Sequence, residues 1–169
     1  MATDPSSSAP GHVTPAAVPA GVDDPAIRTF GLLLEAHARL TRVLDQRLRE
    51  DTGTNLQTLE VLLRVGRAPD GWVPVSRLAE TVALTSGGIS RLVDRLEAEG
   101  LLCRQRCASD GRVVELRLTG EGVERLDTAL VAHRRHLAEE VSALIDPADI
   151  PALERSLDRL RGGGPDAPC

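Results

Sequence analysis

Apolar positions follow a helical period over most of this chain and a two-residue alternation in one short stretch. From Pro25 onward, Ile27, Phe30, Leu33, Leu34, His37, Leu40, Leu44 and Leu48 lie on one stripe at three- and four-residue spacing, which predicts a long amphipathic helix. Asp24 is its N-cap, and Pro25 takes the first helical position, where a missing N–H costs nothing. Thr52-Gly53 ends it. A second helix is predicted from Asn55, a capping residue, through Leu59, Leu62 and Leu63 to Val65. Arg67-Ala68-Pro69-Asp70-Gly71 is a turn, and Trp72-Val73 a short strand placed to pair with a later hairpin. Pro74 then opens a third helix over 75–81, carrying Leu78 and Ala79.

The stretch 84–117 organises the rest. Leu84 and Ile89 flank a Thr85 N-cap at the spacing of a hydrophobic staple. Ile89, Leu92, Val93 and Leu96 follow at i, i+3, i+4 and i+7, and Gly100 supplies a left-handed stop. The other face of this helix carries Ser86, Ser90, Arg91, Asp94 and Arg95. Val82-Ala83-Leu84 joins it to the preceding helix with the three-residue turn of a helix-turn-helix. The alternating segment comes next: a strand over 101–107, a turn at Ala108-Ser109-Asp110-Gly111, and a second strand over 112–118. Thr119 caps a long helix running from Glu121 to about Leu144, with Val123, Leu126, Leu130, Leu137, Val141 and Leu144 on one side. Asp146-Pro147 starts a last helix bearing Leu153, Leu157 and Leu160.

The predicted fold is therefore mainly α with a small β-hairpin wing, a winged helix-turn-helix with long N- and C-terminal helices. Residues 1–24, rich in Pro, Ala, Ser and Gly without periodicity, are expected to be a disordered tail, and 162–169 a short flexible end. Between them, 25–161 form one domain, in which 53–118 are the DNA-binding lobe and 25–52 with 119–161 the dimerisation helices. One winged helix cannot bury all the apolar stripes of those flanking helices. A second copy of the chain is the expected cover.

Composition sharpens this picture. Aromatic residues are confined to Phe30 and Trp72, so the core is built from Leu, Val and Ala, which suits helices. All twenty basic residues are Arg, the side chain best shaped for forked phosphate and guanine contacts. The net charge of −5 excludes indiscriminate nucleic-acid binding through bulk charge. Within 85–117, six Arg face five acidic residues, so any DNA affinity depends on where the charges point. No signal peptide and no apolar run long enough to span a membrane are evident, and a cytoplasmic protein is expected. No phosphate-binding glycine loop, CxxC, HExxH or nucleophile elbow is present, so the sequence offers no support for an enzyme, a metal site or a cofactor.

Two motifs carry a resemblance. Ser90-Arg91-Leu92-Val93-Asp94-Arg95-Leu96-Glu97 followed by Gly100-Leu101, and Ser109-Asp110-Gly111-Arg112 followed by Leu118-Thr119-Gly120-Glu121-Gly122, resemble the MarR family of winged-helix regulators, as does the order of elements over 25–161. The family's usual Asp-Arg-Arg wing tip is here Asp110-Gly111-Arg112, one arginine short. The resemblance implies a homodimer joined by its first and last helices. It implies binding to a pseudo-palindromic double-stranded DNA operator, repression of a nearby gene, and release by a small-molecule effector or an oxidant.

The candidate DNA contacts are Thr85, Ser86, Gly88, Ser90, Arg91 and Arg95 on the recognition helix, and Arg106, Asp110 and Arg112 on the wing. A helix N-terminus with Gly87 and Gly88 approaches DNA closely, and Asp110 aims the Arg112 guanidinium toward the minor groove. By resemblance, the effector pocket lies where the first, second and fifth helices meet the lobe, with His37, Arg39 and Arg64 the candidates for an anionic ligand. Two other readings compete. Cys103 and Cys107, at i, i+4 on one strand face and roughly 13 Å apart when extended, lie beside Arg104 and Arg106, the setting of a thiol-based redox sensor. The acidic balance instead suits a winged-helix protein-interaction module without DNA binding. His133 and His136, i, i+3 on the fifth helix, are expected to be solvated or packed and not metal ligands.

Overall fold

A computed structural model describes residues 19, 21–69, 71–81, 86–106 and 112–162. The tail expected over 1–24 lies largely outside that set, as do the 82–84 turn, Thr85, the hairpin tip with Cys107, Asp110 and Gly111, and the end over 163–169. The element order is α1 (Pro25–Thr52), α2 (Leu56–Gly66), β1 (Val73–Pro74), α3 (Val75–Thr81), α4 (Ser86–Ala98), β2 (Leu102–Arg106), β3 (Val114–Leu118), α5 (Gly120–Glu140), a single 3₁₀ turn (Ser142–Leu144) and α6 (Ile150–Leu160). The chain divides into two compact units, 1–37 and 38–169.

In the first unit, α1 starts where its cap predicts. The Asp24 carboxylate accepts from the Ala26 N–H at 2.8 Å, satisfying a donor that the helix itself leaves unpaired. Ile27, Phe30, Leu32, Leu33 and Leu34 are all exposed.

In the second unit the core sits between α2, α3, α4 and the sheet. Val61, Leu62, Val65, Leu78, Ile89, Leu92, Val93, Leu96, Leu101, Leu102 and Leu116 form one buried cluster. All four residues of the predicted α4 stripe are in it. The strands form an antiparallel sheet in the order β1-β3-β2, with Val73 opposite Leu116 and Cys103 opposite Arg117. A smaller cluster of Leu48, Leu59, Ala129 and Ala132 joins the end of α1 to α2 and α5. Asn55 caps α2 by accepting from the Thr58 N–H at 2.7 Å, and Gly100, at φ 75°, ends α4 in the left-handed conformation that glycine adopts without strain.

The C-terminal helices depart from expectation at their boundaries. The fifth helix stops at Glu140, not near Leu144, and Val141 breaks to φ −123° before the 3₁₀ turn. Val141 and Ser142 are weak helix formers, and a tightened 3₁₀ turn is a common way for a helix to finish. The last helix begins at Ile150, not at Asp146-Pro147. Asp146 caps a separate turn through the Ala148 N–H at 2.9 Å, and Pro151 belongs to the first turn of α6, the place where proline fits a helix. The buried face of α5 also differs: Gly122, Ala129, Ala132 and His136 point inward, while Val123 and Leu144 are exposed.

Candidate nucleic-acid interface

Burial of Ile89, Leu92, Val93 and Leu96 fixes the rotation of α4. Ser90, Arg91, Asp94 and Arg95 consequently lie on its exposed side. Gly88 is half-buried, and the Ser86 side chain and Thr85 fall outside the described residues. By helical geometry Arg91 stands about opposite the stripe, the outermost position, while Ser90 and Asp94 turn toward the sheet and Arg95 toward α2. Arg95 is engaged within the chain: its guanidinium lies 3.4 Å from the Thr58 hydroxyl and 3.7 Å from the Glu99 carboxylate. Of the candidate α4 contacts, Arg91 has the more open position.

On the wing, Arg106 ends β2 and Arg112 lies two residues before β3, and both are exposed. A cleft of about 430 Å³ opens between α3, α4 and the sheet, and Ser76, Ser90, Asp94, Arg104 and Arg112 line it. α4 and the wing thus share one surface. Arg104 and Arg106 occupy one strand face, as alternation requires, but their surroundings differ. The Arg104 guanidinium reaches α4, 2.5 Å from Asp94 and 3.2 Å from Glu97. Sequence reading missed this role; the available signal was the presence of two carboxylates one turn apart on the helix that precedes the strand.

Cys103 is half-buried on the opposite strand face, paired in register with Arg117, whose guanidinium lies 5.9 Å from the Trp72 ring centroid. Cys107 is outside the described residues.

The motif after β3 has a steric basis. Thr119 caps α5 by accepting from the Gly122 N–H at 2.9 Å, and its hydroxyl donates to the Gly100 carbonyl at 2.6 Å. A Cβ on Gly122 would stand 2.0 Å from the Leu101 carbonyl oxygen, so only glycine lets α5 start against the end of α4.

The effector candidates are spread. His37 is exposed in the first unit. In the second unit, Arg39 is paired with Glu140 at 2.8 Å and Arg64 with Glu60 at 2.6 Å. Arg47 also binds Glu139 and Glu140; the Glu139 hydrogen bond foremost draws the guanidinium pKa up, and Arg47 in turn holds the Glu139 carboxyl below its usual range. Beside them His136 is fully buried, its Nε2 2.7 Å from the Asp51 carboxylate, which Arg135 also binds. His136 is thus one of the packed histidines, with an acidic partner that spacing did not announce. Among the described residues no group of three or more potential metal ligands occurs, and no helix is long and apolar enough to cross a membrane.

Residues 52–113 match the family model of the MarR family. The chain is 27% identical over 118 residues to YdgJ, an uncharacterized HTH-type transcriptional regulator of Bacillus subtilis, covering 70% of this chain and 67% of that protein. It is 30% identical over 76 residues to the HTH-type transcriptional repressor MdtR of the same organism, covering 45% of this chain and only 49% of MdtR. Among solved structures, it is similar to Sco3205, a MarR family transcriptional regulator from Streptomyces coelicolor in complex with DNA. That likeness has a TM-score of 0.74 at 26% identity, over 83% of this chain and 92% of the other.

Proposed function

Because this chain belongs to the MarR family of winged-helix transcriptional regulators, we propose that it binds a pseudo-palindromic operator as a homodimer and represses a nearby gene. The observation that carries this reading is the shared surface of α4 and wing, where Ser90 and Arg112 line one cleft and Arg91 points outward. In this reading α4 enters the major groove through Thr85, Ser86, Gly88, Ser90, Arg91 and Arg95, while Arg106, Asp110 and Arg112 reach the adjacent minor groove and its phosphates. The exposed placement of Arg91, Arg106 and Arg112 supports DNA binding by an acidic chain, because local cations and not net charge meet the phosphates.

The second copy is supported by apolar faces that are exposed in each unit taken by itself: Ile27, Phe30 and Leu34 in the first, Leu153, Leu157 and Leu160 in the second. Dimerisation sets the spacing of the two α4 helices and hence of the half-sites. An anionic effector acting at Arg39 displaces Glu140 and loosens the tie between α1 and α5, and one acting at Arg64 displaces Glu60 on α2; His37, in the first unit, is a separate candidate for an anion. Repression has its support in the likeness to MdtR, and the site of action is the cytoplasm.

The test is fluorescence anisotropy against the best duplex selected by the protein from a random library, with a shuffled duplex as control, at two salt concentrations. Specific binding that weakens steeply with salt is expected, since phosphate contacts release counterions. Equal affinity for both duplexes, or none at low salt from a folded protein, overturns the proposal.

A further inference from the structure

Arg104 stands in a setting unlike that of an arginine held ready for DNA. Its strand position faces the core side of the sheet, between Leu102 and Arg106 and opposite Leu116. The side chain is 31% exposed. One guanidinium nitrogen lies 2.5 Å from Asp94 and the other terminal nitrogen 3.2 Å from Glu97, so a single planar cation spans two carboxylates at i, i+3 on α4. These carboxylates belong to the helix proposed to enter the major groove, where phosphate oxygens would repel them.

We infer that Arg104 is a positioning residue for DNA recognition: it locks strand β2 to α4, fixing the angle between wing and recognition helix, and offsets part of the negative charge of Asp94 and Glu97 at the DNA face. The inference rests on the DNA-binding reading for its consequence, but the lock itself is a property of the free protein. Two features make the lock specific. Forked geometry lets one side chain hold two anchors on successive turns, which a lysine ammonium does not reproduce. Its strand neighbour is Cys103 on one side and Gln105 on the other, and neither is a cation that could substitute.

A double-mutant cycle separates a positioning role from a direct phosphate contact. Arg104→Gln is expected to weaken binding to the selected duplex by about 10- to 30-fold in the otherwise unaltered protein, and by less than about threefold in an Asp94→Asn, Glu97→Gln background. Arg104→Lys, which keeps the charge without the fork, falls between. The same loss in both backgrounds identifies a direct DNA contact and overturns the inference, as does no loss in either. In the free protein, amide exchange across Leu102–Arg106 and Val114–Leu118 quickens in Arg104→Gln while the melting temperature stays close to that of the parent. Unchanged exchange there removes the lock. If the parent protein selects no duplex, the DNA-binding reading falls, and the exchange result alone decides whether Arg104 ties β2 to α4. Should Arg104→Gln fail to fold, Arg104→Lys carries both measurements.

Discussion

His136 and Asp51 are joined across the junction of α5 and α1, imidazole Nε2 to carboxylate Oδ2 at 2.7 Å, with the His136 side chain fully buried. A carboxylate only accepts, so Nε2 carries the proton. Its Nδ1 is buried without a hydrogen-bond partner among the described residues. The His136 hydrogen bond is the largest influence holding the Asp51 carboxyl below its ordinary range, with the Arg135 charge adding to it. His133, one turn away, is pushed below the usual imidazole range by burial and then by repulsion from His136.

Acid therefore destabilises this junction in two stages. His133 favours its neutral form in the folded state, so the stability it contributes is full above the unfolded imidazole pKa of about 6.5 and declines below it. Asp51 favours its charged form, so its contribution is full above about 4 and is lost as pH falls through its lowered folded value. Urea melts should show His133→Gln flattening the decline between about pH 7 and 5.5, and Asp51→Asn flattening it below about pH 5. Parallel curves for parent and variants would remove the assignment.

Gly122→Ala is expected to cost about 3 kcal/mol, because the added Cβ meets a backbone carbonyl that cannot rotate away. The corresponding fall in melting temperature is roughly 6–12 °C for a domain of this size. A melt within a degree or two of the parent would mean that α5 shifts freely against Leu101.

Arg112→Ala should leave the fold intact and weaken binding to the selected duplex by about tenfold, lowering the slope of log affinity against log salt by about 0.9 for one lost phosphate contact. Unchanged affinity would take the wing out of the interface.

Arg91→Ala should cost more affinity than Arg95→Ala, since Arg95 is held by Thr58 and Glu99. Paired titrations on one duplex decide it; an equal or reversed order would mean that Arg95 leaves those partners when DNA binds.

Leu157→Arg, or Phe30→Glu, places a charge on an exposed apolar face and should convert a dimer to monomers in sedimentation at micromolar concentration. Dimers persisting in both variants would place the interface elsewhere.

The sequence by itself determined the order of elements, the caps at Asp24, Asn55 and Thr119, and the inward stripe of α4. These depend on local periodicity and on hydrogen bonds between residues two or three apart, which are written directly in the chain. Proximity to Pro147 and Pro151 was also local, yet the competition between a capped turn and a helix start was settled only where Asp146 bonded Ala148. The candidate interface was legible as far as which residues share a face. Which of them are already occupied was not. Arg104 with Asp94 and Glu97, Arg95 with Thr58, and His136 with Asp51 pair residues between 7 and 85 positions apart. Only the tertiary structure decided those pairings, because whether a charge is spent inside the chain or offered outside depends on which elements the core brings together.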